Sequence, residues 1–157
     1  MASETRSGPL HAFLAGLGPD GRGRTLEDVL AFSDEALERT HDYIQWLFPL
    51  ASRSMAQPGA PILDDKEIQA IRADPRALEN LRRAAERMRR FYGATTWWLA
   101  RSDHNHLRVT RILRSLRILV GNDEARHFYD HVTALNRAVG APISPANLQY
   151  WADAMRE

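Results

Sequence analysis

The sequence predicts an all-α fold, a single-domain helical bundle of about four long amphipathic helices with short accessory helices. Three features indicate it. Signals for β-strands are nearly absent, apolar residues recur at helical spacing along most of the chain, and residues typical of helix starts precede these stretches. Amphipathic helices bury their apolar faces by packing against one another, and a helical bundle is the fold that results.

The first half of the chain is predicted to hold short helices. One begins at Pro9 and ends before GPDGRGR, residues 18–24, which is expected to be a flexible turn. Thr25 is placed to cap the next helix, with Asp28 in the position of a capping box. Residues 33–49, SDEALERTHDYIQWLFP, predict a longer helix that the final proline closes. Its expected inner face consists of Leu37, Thr40, His41, Ile44, Leu47 and Phe48.

The second half is predicted to hold the long helices. Residues 51–74 are expected to form a long ordered loop with one turn of helix at residues 66–72. Helix starts are predicted at Asp74-Pro75, Ser102, Asn122 and Ser144-Pro145. The apolar residues at helical spacing after these starts are Leu78, Leu81, Ala85, Met88 and Tyr92; Val109, Ile112, Leu113, Leu116 and Val120; Ala125, Phe128, Val132, Leu135 and Val139; and Leu148, Trp151 and Met155.

Length and composition limit the class of protein. The chain has 157 residues, which suits one domain over residues 9–157 after a flexible N-terminus at residues 1–8. The absence of cysteine excludes disulfides, thiolate metal sites and cysteine nucleophiles. We expect no transmembrane segment, because no apolar run approaches the roughly 18 residues of a membrane span. A cytoplasmic location is expected, since the N-terminus lacks the apolar core of a signal peptide. The net charge of +1 gives no overall attraction to nucleic acid.

The helix predicted over residues 102–121 places polar side chains at the head of its apolar seam. At 100° per residue, His106 lies about 20° from the centre of the seam and Asn105 about 80° from it. One interpretation is that both side chains tie the helix start to a loop. The other is that they line the floor of a pocket, where first-turn amides attract an anion. Arg108 and Arg111 are predicted on an outer basic stripe, which is either solvated or holds a carboxylate or phosphate.

The segment HDYIQWLFP, residues 41–49, is the second unusual stretch. His41 is predicted at the edge of the inner face of its helix, whereas Asp42 and Trp46 point away from that face. A tryptophan on an outer face packs under another segment or meets a partner. The loop after Pro49 is long enough to cover this one.

Metal chemistry is a weaker hypothesis. Glu38-x-x-His41 and Glu124-x-x-His127, the latter extended by His131, have the spacing of di-iron carboxylate bundles. Such sites need inward glutamates from two further helices, which the pattern does not supply, so no metal or cofactor is expected. No nucleophile elbow or glycine-rich phosphate loop is present, so no catalytic residue is assigned. Nucleic acid is a less favoured partner, because no helix-turn-helix spacing accompanies the arginines.

Several long motifs resemble a known family. HDYIQWLFPL at residues 41–50, QPGAPIL at 57–63 and HNHLRVTRILRSL at 104–116 are similar to the conserved region of the opioid growth factor receptor family, as are FLAGLGPDGRGR and LENLRRAAERMRRFYG. The resemblance covers about residues 10–121 and leaves residues 122–157 outside it. Its animal members are described as receptors for an enkephalin pentapeptide, associated with the nucleus and carrying long C-terminal extensions. The compact, arginine-rich form is typical of a bacterial member, for which no opioid ligand is expected.

These observations favour a non-enzymatic binding domain of receptor-like type. Its expected ligand is a small anionic molecule, or the charged end of a peptide or protein, held between the two unusual segments. The expected ligand-binding residues are His41, Asp42, Gln45, Trp46, Trp98, Asn105, His106, Arg108 and Arg111. Three alternatives stay open: a metal-dependent enzyme, an arginine-mediated nucleic-acid or protein association module, and motifs that only fix the packing. The oligomeric state is not predicted.

Overall fold

The computed structural model describes residues 8–156, and within this range the regular elements are helices without any strand. The helices are α1 (Pro9–Leu14), α2 (Leu26–Leu30), α3 (Asp34–Arg39), α4 (Ile44–Leu47), α5 (Asp65–Arg72), α6 (Pro75–Ala94), α7 (His104–Leu119), α8 (Asn122–Ala138) and α9 (Pro145–Ala154). The all-α prediction is confirmed. The flexible N-terminus predicted at residues 1–8 lies outside the described residues except for Gly8.

The helices begin where local side-chain chemistry indicates. Thr25 and Asp28 form the predicted capping box of α2, each side chain accepting a hydrogen bond from the other residue's main-chain N–H. The hydroxyls of Ser33 and Ser144 cap α3 and α9 by accepting from the main-chain N–H groups of Ala36 and Asn147. Helix α7 begins one residue later than predicted, because Asp103 rather than Ser102 caps it. Within the predicted long loop, α5 extends over two turns instead of one.

The described chain divides into two compact units, and the division falls between Ala84 and Ala85 within the sequence of α6. In the first unit, α1 packs against α4 and α5. Its fully buried apolar side chains include Leu10, Phe13, Leu14, Leu26, Val29, Leu37, Tyr43, Phe48, Ile71 and Leu81. In the second unit, α7 packs against α8 and α9. Its fully buried apolar side chains include Met88, Phe91, Trp98, Val109, Ile112, Leu113, Leu116, Phe128, Val132 and Trp151. The single domain expected over residues 9–157 stays a prediction.

The single helix predicted over residues 33–48 is wrong. Helix α3 ends at Arg39, Thr40 is extended with ψ 129°, and α4 is a separate turn. The main-chain carbonyl of Leu37, which would accept from residue 41 in a continuous helix, instead accepts from the hydroxyl of Tyr43 at 2.8 Å. The Tyr43 ring is fully buried, so its burial stabilises the break. His41 consequently lies on the exposed side of the break instead of on an inner helix face.

Helix α1 is held at both ends by side chains distant in sequence. The buried carboxylate of Glu67 accepts from the main-chain N–H of His11 at 2.8 Å. Gly8, the N-cap residue, has no side chain that could cap α1, and the Glu67 carboxylate takes that place. A Cβ at Gly8 would lie only 2.7 Å from this carboxylate, so a larger residue would collide with it. At the other end, the side-chain amide of Asn80 donates to the carbonyl of Leu14 at 2.8 Å. A side chain therefore bonds a main-chain group at each end of α1, although this helix has fewer than two turns.

Asp74 links α1 to the start of α6 and makes stability depend on pH. Its carboxylate contacts Nε2 of His11 at 2.8 Å and accepts from the main-chain N–H groups of Arg76 and Ala77. Burial alone would raise the pKa of the Asp74 carboxyl, but these hydrogen bonds together outweigh burial and hold the pKa below its ordinary value. A lowered pKa means that the stabilisation is complete above the unfolded-state pKa and is lost as pH falls through the lower folded-state pKa.

We therefore expect the free energy of unfolding to fall on acidification from about pH 5 downward, and Asp74→Asn to weaken this dependence. Asparagine keeps a cap for α6 but carries no titrating carboxyl. Urea denaturation of both proteins at a series of pH values measures the two slopes. If the free energy of unfolding depends on pH equally in both proteins, Asp74 does not contribute to that dependence.

No helix in the described part of the chain is long and apolar enough to cross a membrane. The cytoplasmic location expected from the sequence stays a prediction.

Candidate functional site

In the first unit, Asp42 connects the segment at residues 41–47 to the loop at residues 18–24. The Asp42 carboxylate accepts from Nη2 of Arg24 at 2.9 Å and lies 3.2 Å from Nε of Arg22. Arg24 also donates from Nε to the buried carboxylate of Asp20 at 2.7 Å. Burial would lower the pKa of Arg24, but its hydrogen bonds to the two aspartates and their charges hold the pKa above its ordinary value. Asp42 therefore orders a loop that the sequence indicated only as a flexible turn.

Trp46 packs against α1 and the loop at residues 18–24. Its ring lies edge-on to Phe13 of α1 with the ring centroids 5.6 Å apart. A Cβ at Gly21 would lie 3.6 Å from the indole. The segment over Trp46 is thus formed by α1 and the earlier loop, so the prediction that the loop after Pro49 supplies this cover gains no support. Glycine at position 21 lets the main chain approach the indole closely.

Gln45 differs from its neighbours because it is buried without a complete set of hydrogen bonds. The residue is 3% exposed, and its Oε1 has no hydrogen-bond partner among the described residues. A buried amide oxygen without a donor costs about 1–3 kcal/mol. His41, at the other end of this segment, is exposed. The first unit thus brings Asp42 and Trp46 against one loop, whereas Gln45 and His41 lie elsewhere on the segment.

In the second unit, Trp98 and Asn105 lie on a buried aromatic cluster. The indole N–H of Trp98 donates to the carbonyls of Tyr92 and Thr95, both at 3.1 Å. The rings of Trp98 and Tyr92 meet edge-on with centroids 5.1 Å apart. Oδ1 of Asn105 accepts from the Tyr92 hydroxyl at 3.2 Å, while its Nδ2 donates to Asp103 at 2.9 Å. Asp103 also accepts from the Asn105 main-chain N–H at 2.9 Å, so a first-turn amide of α7 is already bonded.

His106 ties the loop before α7 and the start of α9 to α7. Its Nε2 lies 2.7 Å from the carbonyl of Trp98, so Nε2 carries the proton and Nδ1 is an acceptor. The Asn147 side chain donates to that Nδ1 at 2.9 Å. The indole N–H of Trp151 donates to the main-chain carbonyl of His106 at 3.0 Å, and the two rings lie edge-on. Both ring nitrogens of His106 and its main-chain carbonyl therefore bond to neighbouring elements.

The basic stripe predicted on the outside of α7 is not an outer face. Arg108 is 5% exposed and lies 3.5 Å from Oδ1 of Asn105. Arg111 and Arg114 are only partly exposed, whereas Leu107 is 70% exposed. Burial, together with the positive charge of Arg114, lowers the pKa of Arg111 to about 10. Arg111 remains charged at neutral pH, in surroundings that oppose its charge.

Three residues that the sequence did not assign to the site contact the residues that it did assign. Asn147 and Trp151 hold His106, and Arg114 acts on Arg111. The repeat of arginine at every third position from 108 to 117 was a usable signal for Arg114, because residues three apart on a helix are neighbours. No sequence signal pairs Asn147 with His106, which lie 41 positions apart.

The structure keeps only one of the two helical spacings on which the metal hypothesis rests. The break after α3 removes the helical spacing between Glu38 and His41. On α8, Glu124 lies 3.2 Å from Nη1 of Arg89, and His131 contacts the main-chain carbonyl of Arg89 at 3.1 Å. The helical half of the pattern on α8 is therefore intact, whereas the half near α3 is not.

Comparison with known proteins supports the resemblance found in the sequence. Residues 22–97 match the family model of the opioid growth factor receptor (OGFr) conserved region. Just under half of the chain is therefore similar to the OGFr conserved region. This match includes the motifs at residues 41–50 and 57–63 and ends before the motif at residues 104–116, so the resemblance is confirmed over a shorter stretch than expected.

The similar proteins are much longer than this chain. Opioid growth factor receptor of Rattus norvegicus is 36% identical over 115 residues, covering 60% of this chain and 20% of the relative. The Homo sapiens receptor is 35% identical over 115 residues, covering 17% of that protein. Opioid growth factor receptor-like protein 1 of Rattus norvegicus is 35% identical over 99 residues, covering 52% of this chain and 21% of the relative. The similar stretch thus spans about a fifth of these relatives, and no solved structure matches the chain.

Proposed function

We propose that this chain is a non-enzymatic binding domain that recognises an anionic group through Arg111, with Arg108 and Arg114 on adjacent turns of α7. The supporting observation is the position of Arg111: its charged side chain is largely withdrawn from water and lies close enough to Arg114 for the two charges to repel. A carboxylate or phosphate placed beside these guanidinium groups relieves that repulsion and replaces lost hydration with charge-assisted hydrogen bonds.

The geometry of α7 suits such a contact. Residues three apart lie about 5–6 Å apart at their Cβ atoms, so Arg108, Arg111 and Arg114 form a continuous row. Arg108 starts the row and is oriented by Asn105, which is itself bonded to Tyr92 and Asp103. Arg108 is therefore partly pre-organised, which reduces the ordering entropy that a ligand has to overcome at this end of the row. The sequence-predicted residues from His41 to Trp46 belong to the first unit, and the proposal assigns them a supporting role within that unit only.

The names of the relatives agree with a binding role. Two of the similar proteins are receptors by name and a third is a receptor-like protein. A peptide ligand brings a terminal carboxylate unless it is modified. Because this chain covers only about a fifth of those receptors, a receptor activity for it belongs to the proposal.

The test is a thermal-unfolding titration with inorganic phosphate, compared with chloride at equal ionic strength. We expect phosphate to raise the melting temperature of the unaltered protein through binding to the folded state. Arg111→Gln should abolish this rise. The same variant without phosphate should be at least as stable as the unaltered protein, because the fold opposes the charge that the substitution removes.

Arg137→Gln is the matched control, since Arg137 is exposed on α8. It should leave the phosphate response unchanged. Two results contradict the proposal: a phosphate response that survives Arg111→Gln, or a large loss of stability in that variant without phosphate. The second result would assign Arg111 to packing. Native mass spectrometry of the purified protein then identifies any small molecule that is retained by the unaltered chain and lost from Arg111→Gln.

A further inference from the structure

The segment between α4 and α5 forms a loop whose two ends meet. The main-chain N–H of Leu63 donates to the carbonyl of Leu50 at 2.9 Å, so residues 51–62 leave and re-enter the first unit at one place. Within the loop, the main-chain N–H of Gln57 donates to the hydroxyl of Ser54 at 3.0 Å. Surface loops with closely spaced ends are compact and frequently functional. This loop is therefore a surface projection with bonds of its own.

Met55 in this loop places its thioether in water. Its side chain is 91% exposed, which is the highest value among the large exposed hydrophobic residues described. Leu50 and Leu63 at the base of the loop are both buried, so the apolar core of the unit begins at the base and does not include Met55. A single exposed apolar residue is ordinary on a protein surface. The distinguishing property of Met55 is that its sulfur can be oxidised.

The other methionines in the described part of the chain are better protected. Met88 on α6 is fully buried, and Met155 at the end of α9 is half-buried. A dissolved oxidant reaches a thioether only from the solvent, so the rate of oxidation follows the exposure of the sulfur. Oxidation of Met88 also requires that the core opens, because interiors are close-packed. The order of reaction expected from the structure is therefore Met55, then Met155, then Met88.

We propose that Met55 is a site of reversible oxidation by peroxides, which changes the surface of the loop at residues 51–62 and leaves the fold intact. A lone pair of Sδ attacks one peroxide oxygen, the O–O bond breaks and an S–O bond forms. For hydrogen peroxide, proton transfer to the leaving oxygen releases water, so sulfur loses two electrons and the peroxide gains them. A methionine sulfoxide reductase reverses the step with a dithiol, which becomes a disulfide as the oxygen leaves in water.

The product changes the chemistry of the loop surface. A sulfoxide is polar and chiral and its oxygen accepts hydrogen bonds, whereas the thioether is apolar. In a core this change disrupts packing, but at Met55 the new oxygen points into solvent that already surrounds the side chain. Oxidation at this position is therefore a change of surface chemistry with little effect on stability. This site lies in the first unit and is independent of the arginine row on α7.

The test exposes the folded full chain to dilute hydrogen peroxide at neutral pH and follows each methionine by peptide mapping with mass spectrometry. We expect Met55 sulfoxide to form at least about tenfold faster than Met88 sulfoxide, with Met155 between them. Protein oxidised only at Met55 should keep the melting temperature of the untreated protein. Treatment with methionine sulfoxide reductases for both sulfoxide epimers, with dithiothreitol as reductant, should restore the thioether.

Two controls separate exposure from other causes. Met55→Leu keeps an apolar side chain of similar size without sulfur, so it should lose the early sulfoxide and keep its melting temperature. In urea that unfolds the chain, Met55, Met88 and Met155 should react at similar rates, because burial no longer protects two of them. The proposal is overturned if Met88 or Met155 reacts as fast as Met55 in the folded protein. It is also overturned if oxidation at Met55 alone lowers the melting temperature markedly, or if the reductases leave the Met55 sulfoxide in place.

Discussion

Replacement of Trp151 by alanine is expected to lower the free energy of unfolding by about 3–5 kcal/mol. Trp151 is fully buried on α9, and its indole lies edge-on to His106 with centroids 6.0 Å apart. Its N–H also donates to the main-chain carbonyl of His106 at 3.0 Å. The substitution leaves both a cavity between α7 and α9 and a buried carbonyl with one bond fewer. Urea denaturation measures the loss as a lower midpoint.

Tyr150 provides the matched control for this prediction. It is an aromatic residue on the same helix, adjacent in sequence, but its side chain is largely in solvent with 57% exposure. Tyr150→Ala should change the free energy of unfolding by no more than about 0.5 kcal/mol. If the two variants lose equal stability, the effect comes from helix propensity or from the unfolded state, and the docking of α9 through His106 is wrong.

The sequence predicted the helices well where local chemistry determines them. Helix starts depend on a side chain and a main-chain N–H two or three residues away, so Thr25, Ser33 and Ser144 could be recognised without knowledge of the fold. The apolar repeat on α8 and α9 also indicated which residues are buried, as Phe128 and Trp151 show. These features are local or periodic, and neither requires a partner distant along the chain.

The environment of α7 could not be predicted in the same way. Periodicity assigns one buried face and one solvated face, which placed Arg108 outside. In the structure Arg108 is 5% exposed while Leu107 beside it is 70% exposed. A helix enclosed on several sides buries polar residues too, and long arginine stems tolerate this because their methylene groups pack well. Only the three-dimensional arrangement reveals which sides are enclosed.

The role of His106 shows a related limit. The sequence left open whether this residue ties a loop or lines a pocket, since both suit an imidazole at a helix start. Its bonds to Trp98, Asn147 and Trp151 involve residues 8, 41 and 45 positions away. No local pattern encodes such distances. The structure therefore shows that His106 ties elements together, and the binding role expected for it stays a proposal.

Asp20→Ala is the second substitution with a large expected effect, a loss of about 3–5 kcal/mol of unfolding free energy. The Asp20 side chain has no exposed surface and accepts from the main-chain N–H groups of Arg22 and Arg24, at 2.8 and 3.0 Å, and from Nε of Arg24. Alanine leaves these N–H donors without an acceptor. It also leaves the half-buried Arg24 guanidinium without the Asp20 carboxylate, so that Asp42 is its remaining acidic partner. Chemical denaturation gives the total loss, and hydrogen exchange at the Arg22 and Arg24 amides should show its local origin as lost protection.

Two further variants determine whether the effect comes from the unpaired charge. Arg22→Ala removes only an exposed ion pair to Asp42, with a side chain that is 73% exposed, and should cost less than about 1 kcal/mol. Asp20→Ala combined with Arg24→Met removes both buried partners and should be more stable than Asp20→Ala alone, since a missing pair is less harmful than a single unpaired charge. A double variant whose loss equals the sum of its parts would contradict this. The loop at residues 18–24 would then be held by contacts such as that of Gly21 with Trp46, and the buried charges would contribute little.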